Sequence, residues 1–163
     1  MCSSAFGLAS SRRRDDMTTA HHPRFTELSR NESLRLLSRN HHGRMAYSLH
    51  DRVDIEPLHY FYHDGWIYGR TGIGSKLVTL AHHPWCAFEV DEVRGLFDWD
   101  SVVVHGSFSI LDPELGSRDH YERALSGLRS LIPATFDPAD PVPERSILFG
   151  INTSKIAGRS ARS

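Results

Sequence analysis

Between positions 101 and 111 the sequence alternates. Val102, Val104, Phe108 and Ile110 fall on one face of an extended chain, while Val103, His105, Ser107 and Ser109 fall mostly on the other. Successive side chains of a strand point to opposite faces, so this period of two marks a half-buried β-strand. Gly106 interrupts the pattern and is expected to be a bulge or a point of close backbone approach.

Other segments supply neighbours for such a strand. Arg44 to Leu49 is strand-like, and His50-Asp51-Arg52 reads as a hairpin turn into a second strand, Val53 to Tyr62. Leu58, Tyr60 and Tyr62 share a face of that strand, and Pro57, which has no N–H for a ladder, predicts an edge or a bulge. His63-Asp64-Gly65 carries turn chemistry ahead of Trp66 to Thr71, predicting a tight antiparallel hairpin. Trp85 to Val90 and Ile147 to Ile151 complete about six strands.

Helices are signalled between them. Ser29 followed three residues later by Glu32 is a capping box ahead of Leu34, Leu36 and Leu37, and this helix should end near Asn40 to Gly43. Leu77, Leu80 and Ala81 show helical spacing after Ser75, with Pro84 as the stop. Asp112-Pro113 reads as a cap with proline at the first helical position. The longest helix follows it, with Tyr121, Ala124, Leu125, Leu128 and Leu131 as its apolar stripe. Asp137 to Pro143 reads as a proline-rich loop, and there is no internal repeat. These elements predict an α+β domain, mainly antiparallel β, built as a barrel with peripheral helices. No glycine-rich fingerprint follows a strand, which argues against a doubly wound dinucleotide-binding sheet.

At 163 residues the chain has room for one domain. Residues 1–23 contain scattered serines, Arg12 to Arg14 and Asp15-Asp16 without hydrophobic periodicity, and are expected to form a disordered tail. Asp15 to Thr19 stands where a secretion signal would need an apolar segment, so a cytoplasmic location is expected, with Met1 or Met17 as the start. The folded domain is expected over 24–158, with 159–163 as a short C-terminal tail. Nineteen Lys plus Arg balance twenty Asp plus Glu, which disfavours nucleic acid as a partner. Cys2 and Cys86 have no paired spacing, which excludes a disulfide framework or zinc ribbon. No apolar run reaches the length of a membrane span.

Chemistry concentrates in Arg70-Thr71-Gly72-Ile73-Gly74-Ser75-Lys76-Leu77, where a strand end, two glycines and a helix start meet. Helix N-termini offer unpaired N–H groups and partial positive charge, and glycines let a backbone approach an anion. With Ser75 as cap and Arg70 and Lys76 as cations, this reads either as a phosphate site suited to a mononucleotide or as an ordinary strand-to-helix turn. It is not a Walker loop, since Lys76 follows Ser75 instead of preceding it.

In order along the chain, Pro57-Leu58-His59-Tyr60, Trp66 to Thr71, Gly74 to Leu77, Trp85 to Val90 and Trp99 to Gly106 resemble the pyridoxamine 5'-phosphate oxidase-like, FMN-binding split-barrel superfamily. Within it the chain is most similar to the branch of nitroimidazole-resistance and flavin-nucleotide-binding proteins. The resemblance covers about residues 28–158. It implies a six-stranded split β-barrel that forms a homodimer, with FMN at sites shared across the interface. Carried over by position, Arg70 and Thr71 with Gly74, Ser75 and Lys76 would hold the phosphate, and backbone at Pro57 and Leu58 would line the isoalloxazine. Trp99 and Ser101 would reach the partner's flavin. Arginine stands at position 70 where the nitroimidazole-resistance branch commonly has histidine. This weakens a nitroreductase assignment, while the planar guanidinium suits a phosphate. The arginine and lysine set of true pyridoxamine 5'-phosphate oxidases is incomplete here, so vitamin B6 synthesis is not expected.

The activity implied is an oxidoreductase that reduces a small molecule with an external electron donor, the flavin carrying the chemistry. The alternatives are a non-catalytic flavin- or haem-binding protein and a deazaflavin-dependent reductase. Arg44 is a candidate for the flavin N1 region. Eleven histidines include adjacent pairs such as His41-His42 and His82-His83, but neighbours in sequence point apart and no metal is expected. His105 reads as a hydrogen-bonded barrel residue and Cys86 as an inert buried thiol.

Overall fold

The computed structural model describes residues 22–49, 51–116 and 118–163. Nearly all of the expected N-terminal tail, and His50 of the expected first turn, lie outside the described residues. Six antiparallel strands close into a ring: β2 (His42–Leu49), β3 (Arg52–His63), β4 (Trp66–Thr71), β5 (Trp85–Gly95), β6 (Asp98–Ile110) and β7 (Ile147–Arg162). The order around it is β7-β4-β3-β2-β5-β6, and β6 pairs again with β7. A further strand, β1 (Arg24–Leu28), lies against β7. One edge of β7 is shared, with β4 on Ile147 to Asn152 and β1 on Gly158 to Arg162. The other edge carries β6 from Phe149 to Ala161. This is the split-barrel arrangement, mainly antiparallel with three helices.

Local chemistry explains the joints. Asp64 and Gly65 have φ of 47° and 79°, and two left-handed residues in a two-residue loop give the turn whose twist matches paired strands. Hence His63 pairs directly with Trp66. At Gly106 the β6–β7 register slips, and an added Cβ would lie 2.5 Å from the Asn152 carbonyl oxygen. The glycine is therefore both a bulge and a close approach. Pro57 pairs with Arg44 of β2, while β4 covers only Tyr60 to His63 of β3. On that uncovered edge proline breaks no ladder.

The helices close the barrel. In α1 (Arg30–Arg39) the capping box forms as expected, with Glu32 N–H donating to Ser29 Oγ and Ser29 N–H to Glu32 Oε2. That helix buries Leu36 and Leu37 in the main core with Met45, Tyr60, Phe88 and Phe149. A second helix, α2 (Ser75–His82), adds Leu80 to this core. Outside the ring, α3 (Arg118–Leu131) packs Ala124 and Leu128 on Tyr68 and Leu148. Phe88 is 1% exposed and meets Tyr60 edge-on at 4.8 Å. Truncating such a ring to alanine costs about 3–5 kcal/mol.

Several expectations are corrected. Residues 159–162 of the expected tail are the end of β7, and Ala161 is fully buried. Their basic, small-residue composition hid a strand held between β1 and β6. The β1 strand, four of whose five side chains are exposed, gave no alternation to read. Asp112 caps a turn, accepting from the N–H groups of Glu114 and Leu115, and the long helix begins only at Arg118. The last difference is the start of β6: Asp98 and Asp100 are neutralised by arginines, so β6 begins at Asp98 and includes Trp99, ahead of the alternation that starts at 101.

Candidate functional site

The turn from β4 into α2 sits beside one mouth of the barrel. Gly74 is the N-cap of α2 and no side chain caps it, so Ser75 is the first helical residue and not the expected cap. The Gly74 carbonyl accepts from the N–H groups of Leu77 and Val78, which leaves the first N–H groups of the helix without an intrahelical acceptor. An added Cβ at Gly74 would meet nothing within 4 Å, so the space above this turn is open. Thr71 is buried and its hydroxyl makes only a 3.4 Å contact to the Gly72 carbonyl.

Lys76 reaches across to β3, where its ammonium donates to Glu56. Glu56 also accepts from the Tyr47 hydroxyl at 2.8 Å. Burial acts to raise the Glu56 pKa, but the hydrogen bonds from Lys76 and Tyr47 outweigh it and the net shift is downward. Burial, then the Glu56 hydrogen bond, pushes the Tyr47 phenol up, so it remains a donor. Glu56 precedes Pro57, so the structure does bring Pro57 beside Lys76. Leu58 turns its side chain into the core and offers only backbone.

Arg70 departs from its expected role. Its guanidinium is committed to Asp140 in a two-pronged pair of 2.5 and 2.9 Å, the two side chains being 5% and 2% exposed. Asp140 accepts as well from the N–H groups of Phe136 and Val142, and the guanidinium carbon lies 5.8 Å from the Phe136 ring centroid. The Arg70 hydrogen bonds, helped by those two N–H groups, hold the Asp140 carboxyl well below the usual carboxylate range. A planar fork facing a carboxylate is satisfied within the chain. The sequence could not pair residues seventy positions apart.

Trp99 and Ser101 are not brought to this site. Arg70 pairs with Leu148 of β7 and Trp99 with Ala161, and thirteen positions of strand span on the order of 40 Å. Ser101 instead donates to Glu89 at 2.9 Å. Arg44 is engaged by Glu89 and Asp91 on the outer surface. His105 is exposed on the outer face, where with Trp85, Tyr47 and Val53 it lines a shallow depression of about 300 Å³. Cys86 is buried, and burial pushes its thiol up to about 12. Among the described residues no three His, Cys, Asp or Glu side chains converge as for a metal.

Sequence reasoning missed Glu56, Tyr47 and Asp140. Only Asp140, inside a proline-rich loop, carried any signal, as a charged residue in a segment read merely as a connection.

The family model described as pyridoxamine 5'-phosphate oxidase matches residues 29–159. The chain belongs to that family. The match runs from the α1 cap into β7, the last ring strand of this pyridoxamine 5'-phosphate oxidase family member. Uncharacterized protein Rv0080 of Mycobacterium tuberculosis is 30% identical over 106 residues, covering 61% of this chain and 68% of that protein. The crystal structure of a FAD-binding protein from Mesorhizobium loti superposes with a TM-score of 0.70 at 26% identity, covering 87% of this chain and all of the other. A candidate 5-nitroimidazole antibiotic resistance protein from Bacteroides thetaiotaomicron shares the fold, with a TM-score of 0.64 at 12% identity over 85% and 88% of the two chains. No helix among the described residues is long and apolar enough to cross a membrane.

Proposed function

We propose that this family member binds a flavin nucleotide, FMN, at the β4–α2 turn and works as a cytoplasmic oxidoreductase on a small molecule. The observation that carries the reading is the uncapped, open turn with Thr71, Ser75 and Lys76 around it, in a chain whose neighbour at 26% identity is a FAD-binding protein. The donor set fits a phosphomonoester. It offers two hydroxyls, free helix N–H groups and the Lys76 ammonium, one of whose three donors is already held by Glu56. A bound flavin would supply the electron transfer, taking electrons from a donor such as NADH or NADPH and passing them to the acceptor.

The second half of the site belongs to a second copy in this reading. Val53, Ile55 and Trp85 stand 67%, 65% and 70% exposed on the outer face of β3 and β5. An apolar surface of this kind suits an interface between copies. The same association would bring Trp99 and Ser101 of one chain toward the turn of the other, which a single chain does not do.

The test is the absorbance spectrum of the purified protein, followed by mass analysis of any released chromophore and titration with FMN, FAD and riboflavin. Flavin bands with released FMN support the reading, and donor-dependent turnover then establishes the oxidoreductase. Released FAD shifts the cofactor, a Soret band replaces flavin by haem, and a colourless protein indifferent to all three flavins overturns the proposal. The solution mass is expected near twice 18.5 kDa.

A further inference from the structure

Histidines adjacent in the sequence point apart, but histidines opposite one another across a strand ladder point together. His42 of β2 and His59 of β3 are such partners. Their neighbours fix the register. On one side Gly43 faces Leu58, whose side chain is buried, and on the other the Tyr60 N–H donates to the His41 carbonyl at 2.9 Å. Both imidazoles are exposed on the outer face of the barrel. Their ring centroids lie 5.6 Å apart with an interplanar angle of 63°. Among the described residues neither ring makes a hydrogen bond, unlike His82 and His120, whose Nδ1 atoms are engaged. Beside them on β2, Arg44 holds Glu89 and Asp91, so those carboxylates are already engaged.

We propose that His42 and His59 form a two-histidine site for a divalent transition-metal ion of the zinc, nickel or copper type. Two imidazoles that share a metal at bonds of ~2.1 Å hold their ring centres roughly 5–6 Å apart, and the observed 5.6 Å falls in that range. Imidazole nitrogen is the donor these ions favour, whereas magnesium and calcium prefer oxygen. The chelate is pre-formed, because both side chains project from a paired ladder and need only adjust their χ angles. The protonation state also fits. Burial first, then the charges of His42, Arg145 and Arg70, lowers the His59 pKa, and the neutral ring is the one that binds a metal. Arg70 is itself neutralised by Asp140, which limits the repulsion that a metal ion would meet. With two protein ligands the ion keeps positions open to water or to an anion. This site stands independently of the flavin reading, since neither imidazole belongs to the β4–α2 turn.

The experiment is calorimetric titration of the full-length chain with nickel(II) and, separately, with magnesium, in a Cys2→Ser background that removes a competing thiol. One nickel per chain is expected at the strongest site, and no magnesium. His42→Ala and His59→Ala should each weaken that site about tenfold or more, the scale on which metal sites respond to loss of even a supporting group. The double variant should lose little beyond either single one, because one imidazole left alone is no chelate. His41→Ala should leave the site unchanged. His59→Phe keeps a ring against His42 and should lose the metal as fully as alanine does. Wild-type affinity in both alanine variants overturns the proposal. Affinity restored by His59→Phe also overturns it, since ring packing and not a ring nitrogen would then be what mattered. Additive losses would mean two separate single-histidine sites, and the pair falls. In the electron paramagnetic resonance spectrum of the copper(II)-loaded chain, hyperfine structure from two nitrogens is expected, falling to one in either alanine variant. A spectrum unchanged by both substitutions places the copper elsewhere and sinks the site. None of these outcomes bears on the flavin titration, and a chain that binds no flavin can still bind the metal.

Discussion

The two ends of β7 are both rich in charge, and they handle it in opposite ways. Near its C-terminal end, by the β5–β6 hairpin, three guanidinium groups face carboxylates. Arg39 holds Glu92 with two bonds of 2.6 Å, while Arg94 and Arg162 converge on Asp98 and Asp100. Near its N-terminal end, Arg70 is sealed with Asp140 and Lys76 is held by Glu56, but Arg145 has no ion-pair partner among the described residues. Saturated charge holds strands together. Charge left unpaired beside free helix N–H groups is available to a ligand. The abundance of arginine therefore says little about where this chain binds anything, whereas the count of carboxylates around each arginine says much.

The largest effect should come from breaking the sealed pair. Arg70→Ala leaves a buried carboxylate without its partner, which typically costs about 3–5 kcal/mol, and a melting temperature on the order of 10 °C lower is expected. Arg39→Ala at the hairpin end removes a pair whose arginine side chain is 54% exposed. An exposed pair is worth about 0–1 kcal/mol, so its melting temperature should fall by no more than a few degrees. Equal losses in thermal unfolding would erase the distinction between the two ends. Next comes ligand binding: Lys76→Ala should weaken FMN by about tenfold while Arg39→Ala leaves it unchanged. Titration of both variants separates a binding end from a structural one.

A smaller effect sharpens the comparison through pH. Hydrogen bonds from Arg39 bring the Glu92 carboxyl down from an ordinary 4.5 to about 2, against the opposing effect of burial. A folded pKa below the unfolded one means that the contribution is complete above pH 4.5 and is lost as the pH falls toward about 2. The gap in melting temperature between wild type and Glu92→Gln should therefore close across that window. A gap that stays constant down to pH 2 would show that the pair does not persist in solution.

The barrel was legible because alternation and turn chemistry are local. Val102 to Phe108, the Asp64-Gly65 turn, the Gly106 slip and the Ser29–Glu32 box each announce themselves within a dozen residues. Illegible elements were those whose stability comes from partners far away in sequence. Arg159 to Arg162 look like a tail until β1 and β6 flank them, and Asp98 and Asp100 look like a loop until arginines neutralise them. At the candidate site the β4–α2 turn was readable for the same local reason. The commitment of Arg70 was not, because it depends on a loop seventy residues on that carries no periodicity. A resemblance can align Arg70 with a ligand-binding position, but only geometry shows what already occupies its donors.

The smallest effect concerns a group that belongs to neither end. Cys86 belongs to the main core, 7% exposed, with Sγ 3.8 Å from the Gly106 carbonyl oxygen. Burial alone pushes its thiol up to about 12, and the thiolate is the reactive form. In a Cys2→Ser background a disulfide reagent at pH 8 should leave the folded protein unlabelled and modify one thiol only after denaturation. Arg70→Ala should speed this labelling more than Arg39→Ala does, because reagent reaches Cys86 through opening of the barrel and the sealed pair contributes more to keeping it closed. Equal labelling rates in the two variants would mean that the Arg70–Asp140 end opens without the core, which separates local fraying of that pair from cooperative unfolding of the ring.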